Sequence, residues 1–273
     1  MVSRTPLVVR TNSGQESACS KCFTAWLLAA PHQSYLKTDV INTFASPSAE
    51  HLFGTDNLGR DVYALLLAGG VRTLEVVAIA TVISFFGGTI LGMLAGYYGG
   101  LLNSIIQFLS DFSMVIPSFI VAMTLSSLFG FHVVMAGIVF GIGQTGSYLN
   151  QACILTESLK NRDFIAAEQV IGLKDLQIIC FHIFPNICRQ LFVFMGNKAA
   201  TVVNLYAGLA FIGLGTDITN PDWGTLLYQY RSYMTTYPLL VLWPALFIAI
   251  LTICLHATFD SSQTKEGDLT LYD

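Results

Sequence analysis

The sequence predicts an all-α integral membrane protein with five to six transmembrane helices. Of its 273 residues, 53% are hydrophobic and only 11% are charged, whereas an ordinary soluble domain is about 25% charged. Uncharged stretches of more than 20 residues recur along the chain, and about 20 apolar residues suffice to cross a bilayer. A soluble fold of this length would need a largely polar surface, so we expect lipid to be the solvent.

The N-terminal region holds the first candidate span. Residues 18–36 are apolar but short, and they contain Pro31 and His32. They form either a span or an interfacial segment, and we favour the span. The predicted organisation is an N-terminal tail with this segment over 1–50, a membrane domain over 51–260 and a tail over 261–273.

Five further helices follow from the uncharged stretches. They are predicted at about 74–97, 105–128, 133–155, 187–212 and 237–259. The run from Phe112 to Thr156 is too long for one span, and Phe129-Gly130-Phe131-His132 offers the turn that divides it.

Glycines recur at every fourth position of the predicted helix 74–97. They are Gly88, Gly92, Gly96 and Gly100. Small residues at this spacing let two helix backbones approach closely in a membrane, so the sequence predicts a helix-packing face here.

Lysines and arginines predict the orientation, because they concentrate in short cytoplasmic loops. One group lies in three regions: before the first candidate span, before the predicted helix 187–212, and after the last helix. Its members are Arg4, Arg10, Lys21, Lys160, Arg162, Lys174 and Lys265. With six spans these fall on one side, which we expect to be cytoplasmic. The other group, on the opposite side, is Lys37, Arg60, Arg72 and Arg231.

Composition and motifs exclude several classes of function. The net charge of -4 and the lack of like-charge runs argue against nucleic acid as a partner. No GxxxxGK[ST], HExxH or GxSxG motif is present, and a single CxxC at Cys19 and Cys22 is weak as a zinc signal. The sequence predicts no catalytic, cofactor or metal site in this chain.

The segment from Glu157 to Asn186 differs from the rest of the chain, because seven of its first nineteen residues are charged. Helical character runs from Arg162 to Ile171 and stops at Gly172, a residue that lets a helix end sharply. This amphipathic helix either docks on another protein or serves as a solvated linker between two spans.

The same segment resembles the EAA loop of ABC-importer permeases. Ala166-Ala167-Glu168 stands where Glu-Ala-Ala is expected, Gly172 and Pro185 have the family's separation, and His182 to Asn186 resembles His-Ile-Leu-Pro-Asn. The resemblance implies a coupling helix that sits in a groove of an ATPase subunit. The acidic residue is displaced by two positions, about 200° around a helix, which puts the individual polar contact in doubt.

A second block, from His51 to Val62, is similar to a signature of the dipeptide, oligopeptide and nickel permeases in their second-permease branch. Its defining residues are Gly54, Asp56, Gly59, Arg60 and Asp61. Physically it is a tight turn ahead of a helix, in which Asp56 or Asp61 could pair with Arg60. We favour a structural cap at the membrane surface over a direct contact with substrate.

A third block, Leu209 to Gly215 and Asn220 to Leu227, is similar to the face of these permeases that meets a substrate-binding protein. Together the matches run from about His51 to His256. They imply the type I importer fold, a second permease subunit, and ATP bound by separate subunits rather than by this chain. They also imply a multi-pass location in the inner membrane, with the binding protein on the extracytoplasmic side.

Lys198 lies inside the predicted helix 187–212, where a charge is costly and marks a pathway or a paired site. Three interpretations remain open: it attracts the carboxylate of a peptide or an anionic metal chelate, it pairs with an acidic residue of the partner permease, or it snorkels. Asn204 and Tyr206 are the other polar candidates for a translocation path on this helix.

The predicted function is transport by an ATP-driven importer, with peptides, nickel or metal chelates as the possible cargo. A self-contained channel or secondary transporter would need an internal repeat and membrane-embedded ion ligands. A membrane enzyme would need clustered His, Asp or Glu within the spans, which are nearly devoid of them.

Overall fold

The computed structural model describes residues 36–130, 132–214 and 219–260, and within them it is mostly helical with no strand. The nine α-helices of this part are α1 Val62–Tyr98, α2 Gly100–Val115, α3 Ser118–Phe129, α4 Val133–Lys160, α5 Asp163–Ile171, α6 Asp175–Gln177, α7 Phe184–Phe211, α8 Trp223–Tyr230 and α9 Pro238–Asp260. A π-helical turn, Ile178–Ile183, joins α6 to α7, and a 3-10 turn, Arg231–Tyr233, follows α8.

Helix α1 begins at Val62, not at 74 as predicted. Arg72 and Glu75 interrupt the apolar pattern there, but the preceding turns are buried at Val62 and Leu65. The Asp61 side chain caps the helix by accepting from the Tyr63 N–H at 3.2 Å. Charge alone therefore placed the start of the helix too late.

The single helix predicted over 105–128 is wrong, because the chain breaks between α2 and α3. The two helices meet at 66° around Ile116 and Pro117. Proline has no N–H to continue a helix, and it pushes the residue before it into extended backbone. Ile116 accordingly has φ -80° and ψ 113°.

Helices α1 and α4 run parallel and pack through glycines. A Cβ on Gly88 would lie 2.5 Å from the Thr145 carbonyl oxygen, and one on Gly96 would lie 2.7 Å from the Cys153 carbonyl oxygen. Gly92 fits equally closely against Leu149 and Ala152. The predicted packing face is confirmed for these three glycines. It is wrong for Gly100, which lies beyond the end of α1 with nothing within 4 Å.

The fifth predicted span begins earlier than 187. Helix α7 starts at Phe184 with Pro185 in its first turn, where the missing N–H costs little. The π-helical turn supplies the join, since the Phe184 N–H reaches back to the Ile179 carbonyl. Asp175 to Phe211 is thereby continuous enough to count as one apolar segment of 37 residues.

In the described ranges, three segments are long and apolar enough to cross a membrane, and the bent α2–α3 pair would make a fourth. The three are Val62–Tyr98, Asp175–Phe211 and Pro238–Thr258. Helix α4 lies where a span was predicted, but its polar residues, such as Gln144 and Asn150, make it less apolar. The candidate span at 18–36 and the tail at 261–273 fall outside the described residues except for Leu36.

Two clusters of buried side chains hold the bundle together. One lies near the start of α1 and includes Leu66, Tyr206 and Trp223. The other lies toward the end of α1 and includes Tyr148 and Ile165. The first cluster supports the turn before α1, and the second supports the short helix α5, so each end of the bundle has its own packed core.

Candidate functional site

The turn before α1 is built on a buried ion pair. Arg60 approaches Asp56 with both Nε and one terminal nitrogen at 2.7 Å, and both side chains are almost fully buried. The Asp56 carboxylate also accepts from the backbone N–H groups of Leu58 and Arg60 at 2.9 and 2.8 Å. Of the two possible partners of Arg60, the structure therefore selects Asp56.

Two side-chain contacts join this turn to the last residues of α8. Arg60 donates to the Gln229 side-chain oxygen at 3.0 Å, and the Tyr230 hydroxyl donates to Asp56 at 3.3 Å. Gly54 and Gly59 have positive φ values of 79° and 69°, and a Cβ on either would overlap a backbone carbonyl. These features make the turn a rigid structural unit.

The turn also includes residues before position 51. The Phe44 N–H donates to the Asp56 carbonyl, and the Thr55 N–H donates to the Ala45 carbonyl. The Phe44 ring stacks on Tyr237 with 4.3 Å between ring centroids. Residues 36–50 thus pack on the following segment, although the predicted domain boundary at 50/51 separates them.

At the same end of the bundle, α8 is held by a polar cluster that sequence reasoning did not assign. Asp222 caps α8, accepting from the Thr225 N–H at 2.9 Å and its hydroxyl at 3.0 Å, and Tyr206 donates to it at 3.0 Å. Burial raises the pKa of the Asp222 carboxyl, while these hydrogen bonds act in the opposite direction. The spacing of Asp222 and Thr225 is a helix-cap signal that could have identified it.

Trp223 anchors α8 on α1. Its indole N–H donates to the Leu66 carbonyl at 2.8 Å, a bond free to form because a helix carbonyl can accept a second donor. Gly69 and Gly70 leave room for the ring. Tyr206, predicted for the translocation path, is therefore placed in a buried junction between α7 and α8.

At the opposite end of the bundle, α5 is the predicted helix of the EAA-like segment. It covers Asp163–Ile171 and ends at Gly172, whose φ of 90° only glycine adopts readily. The Leu173 N–H closes the end by donating to the Glu168 carbonyl at 3.2 Å. Ile165 is fully buried against the bundle, while Ala166 and Ala167 are exposed.

The displaced acidic residue has a partner within the segment. A Glu168 carboxylate oxygen lies 3.5 Å from His182 Nδ1 on the π-helical turn. Pro185 follows in the first turn of α7. The structure therefore brings Glu168 against the π-helical turn that leads into Pro185.

Tyr97, at the end of α1, connects the bundle to α5, and sequence reasoning missed it. Its hydroxyl donates to Asp175 at 3.0 Å and accepts from the Gln169 amide at 3.4 Å. These partners lie on either side of Gly172. Nothing in the local pattern of Tyr97 predicts a contact 78 residues away.

An apolar surface lies around α5. It consists of the exposed side chains of Phe164, Val170, Ile171 and Leu176, and we call it the coupling surface. Val170 is 89% exposed and Ile171 is 77% exposed. Large apolar side chains at the charged, non-spanning end of a bundle are typical of a protein-docking site.

The middle of α7 carries the remaining predicted residues. The Lys198 ammonium donates to the Ser147 hydroxyl of α4 at 3.0 Å and lies 5.2 Å from the centroid of the Phe194 ring. Asn204 and Thr201 are exposed on the same helix. The side-chain oxygen of Asn197 lies 2.6 Å from His256 Nδ1 on α9. The structure thus separates Lys198 and Asn204 from the buried Tyr206.

The described part of the chain contains no group of three or more His, Cys, Asp or Glu side chains arranged to hold a metal ion. Asp61 and Asp222 serve there as helix caps, and Asp56 and Arg60 form an ion pair. The geometry is that of a helical bundle with an exposed apolar surface around α5.

Comparison with known proteins places this geometry in a family. Residues 88–265 match the family described as the binding-protein-dependent transport system inner membrane component. The chain is 31% identical over 220 residues to the dipeptide transport system permease protein DppC of Alkalihalophilus pseudofirmus, covering 81% of this chain and 72% of that protein. It is 29% identical over 238 residues to the glutathione transport system permease protein GsiD of Escherichia coli O6:K15:H31, covering 87% of this chain and 78% of that protein.

Solved structures share the fold. A chain of the MetNI methionine ABC transporter in an inward-facing conformation superposes with a TM-score of 0.58 at 19% identity, covering 72% of this chain and 94% of that one. A second crystal form gives a TM-score of 0.59. The all-α bundle, the predicted resemblance and the relatives agree, and the chain belongs to the family of binding-protein-dependent transport system inner membrane components, the permease subunits of ABC importers.

Proposed function

We propose that this permease forms one half of a translocation pathway in the inner membrane, together with a second permease subunit. ATP is bound and hydrolysed by separate subunits that dock on the coupling surface. The observation that carries the proposal is the combination of an apolar bundle with an exposed apolar patch, Val170 and Ile171 foremost, on the short helix α5.

Closure of the ATPase subunits would move α5, and two contacts support transmission of that movement. Ile165 is buried in the second core cluster, and Tyr97 bonds both Asp175 and Gln169. Helix α5 therefore moves together with α1, and the pathway between the two permease subunits opens alternately to the two sides of the membrane.

The opposite end is proposed to receive the substrate-binding protein. The turn at 51–61 and helix α8 lie there, joined by Arg60, Gln229 and Tyr230. With α5 in the cytoplasm, as the lysine and arginine distribution predicts, this end is extracytoplasmic.

The cargo is proposed to be a short peptide or a peptide-like molecule. The relatives are named for dipeptide and glutathione transport, whereas no described observation favours nickel or a metal chelate. A channel or secondary transporter working alone is disfavoured by the family membership, since the relatives are named as components of transport systems.

Copurification from membranes tests the docking step. Val170→Glu should lose the ATPase subunits, because a charge would be buried in an apolar interface, and Gly172→Pro should do the same by distorting the end of α5. Val40→Glu is the matched control, since Val40 is 83% exposed at the opposite end of the molecule. Retention of the ATPase by all three variants would refute the proposed docking surface.

A further inference from the structure

A charged group and its partner lie at the centre of two helices. Lys198 is in the middle of α7, Phe184–Phe211, and Ser147 is in the middle of α4, Val133–Lys160. If a hydrocarbon core of about 30 Å is centred on α7, both membrane surfaces lie about 15 Å from Lys198. A lysine side chain does not reach that far, so this placement argues against snorkelling.

The lysine is not neutralised by the described residues. No carboxylate among them lies within 4.0 Å of its ammonium; its contacts are the Ser147 hydroxyl and the face of the Phe194 ring. An ammonium has three N–H donors, and serine occupies one. A half-buried cation with spare donors in a membrane helix is costly unless an anion completes it.

Polar residues continue from Lys198 along α7. Thr201 and Asn204 follow at intervals of three, so this row of three residues rises about 9 Å along the helix and turns through about 120° around it. Thr201 and Asn204 are exposed, which in lipid would leave the Asn204 amide unsatisfied. This row is better suited to a water-filled path than to a lipid-facing side.

We propose that the Lys198 ammonium is an anion-binding subsite for the carboxylate of a peptide-class substrate as it crosses the membrane centre. Ser147 orients the ammonium, and the Asn204 amide offers a donor and an acceptor to the polar groups that follow the carboxylate. The Thr201 hydroxyl donates to the Asn197 carbonyl at 3.0 Å, so it offers only an acceptor. The inference rests on the proposed function, and it adds a selectivity step inside the permease to the one made by the binding protein.

The test uses the full complex, with its second permease, ATPase subunits and binding protein, in proteoliposomes. The probes are radiolabelled dipeptide and glutathione, and the one accumulated by wild type is used for the variants. Lys198→Met should lower initial uptake about ten- to a hundredfold, the value of a charge-assisted hydrogen bond. Lys198→Arg should stay within about threefold of wild type, because it keeps the cation.

Controls separate binding from assembly. Lys37→Met removes an exposed lysine outside the spans and should leave uptake unchanged. Wild-type uptake by Lys198→Met would overturn the subsite. Loss of the second permease from purified Lys198→Met would also overturn it, because the lysine would then pair with a carboxylate across the permease interface.

Failure of the underlying function has a different signature. Wild type would then copurify with no ATPase or accumulate neither probe, which is seen before any variant is compared. If wild type transports while Lys198→Met and Lys198→Arg are equally impaired, the role of Lys198 is its packing against Ser147 and Phe194, and the charge-based proposal is overturned alone.

Discussion

Asp56 is a buried carboxylate whose two oxygens accept hydrogen bonds from three residues. One oxygen takes the N–H groups of Leu58 and Arg60, and the other takes the Arg60 guanidinium and the Tyr230 hydroxyl. The signature residues Asp56 and Arg60 are thus explained by charge satisfaction, since each neutralises the other and the Asp56 carboxylate accepts from the donors that surround it.

We expect Asp56→Asn to destabilise the protein by about 3–5 kcal/mol, because Arg60 would remain buried without its counter-charge. Thermal unfolding of the purified permease in detergent measures the effect. Glu50→Gln makes the same chemical change at an exposed position and should leave the midpoint unchanged. Equal midpoints for both variants would contradict the structural role of the pair.

Lys198 shows what the sequence does and does not reveal about a single residue. Its charge within an apolar run was visible in the sequence, but its contact with Ser147 was not, since the two residues are 51 positions apart. Tyr206 shows the reverse case: a polar residue on the same helix is explained by a local junction with Asp222. Polarity alone did not distinguish a path residue from a buried one.

Among the helices, the α1–α4 pair depends on residues without side chains. Gly88, Gly92 and Gly96 of α1 lie against the α4 backbone, and Gly137 and Gly141 of α4 lie against Ile79 and Ile83 of α1. The glycines are thus distributed over both helices, which brings the backbones together along most of their length.

Gly88→Ala should destabilise the pair by about 1–3 kcal/mol, because its methyl group would meet the Thr145 carbonyl oxygen and the Tyr148 Cβ at 2.5 Å. Gly87→Ala is the neighbouring control, since its methyl group would find Thr145 at an ordinary 3.6 Å. Unfolding in detergent should show a lower midpoint for the first variant only. A loss in both would attribute the effect to the helix itself.

The junction between α1 and α5 makes a prediction about coupling. Tyr97→Phe removes the hydroxyl that bonds Asp175 and Gln169, at a cost of about 0.5–1.5 kcal/mol. We expect substrate transported per ATP hydrolysed to fall by about two- to tenfold in proteoliposomes. Tyr98→Phe, on the adjacent exposed ring, should preserve the ratio, and an unchanged ratio in Tyr97→Phe would rule out this connection.

Element boundaries show what local pattern can and cannot supply. Gly172 ended α5 as predicted, because a glycine C-terminal to a short helix acts within a few residues. Pro117 was overlooked as a break because the uncharged run continues through it. The start of α1 was misplaced because Arg72 and Glu75 suggested a boundary, although both lie inside α1, where Arg72 donates to the Asn220 carbonyl.

For the whole molecule, the fold class follows from composition, while the connections between its ends do not. Apolar runs and glycine spacing act through neighbouring residues and are readable from sequence. Contacts such as Arg60 with Gln229, or Trp223 with Leu66, join residues more than 150 positions apart, and they depend on how the helices assemble. The candidate site was therefore predicted as separate motifs, without the junctions that link them.

Water access along α7 tests the proposed path in the assembled transporter. After replacement of the six native cysteines, Asn204→Cys should react at least about tenfold faster with a membrane-impermeant thiol reagent than Val202→Cys, because thiolate chemistry needs water. Val202 lies on the same helix, but it is only 1% exposed. Comparable rates would mean that this side of α7 is not a water-lined path.

The close fit of α1 against α4 has a mechanical consequence. Helix α1 has 37 residues, so it is about 56 Å long, and its glycine contacts leave no slack for the two helices to slide. If they pivot as one beam about the middle of the membrane, a tilt of about 10° displaces each end by about 5 Å in opposite directions. A displacement applied to α1 beside Tyr97 then moves the end beside Val62 by a similar distance in the opposite direction.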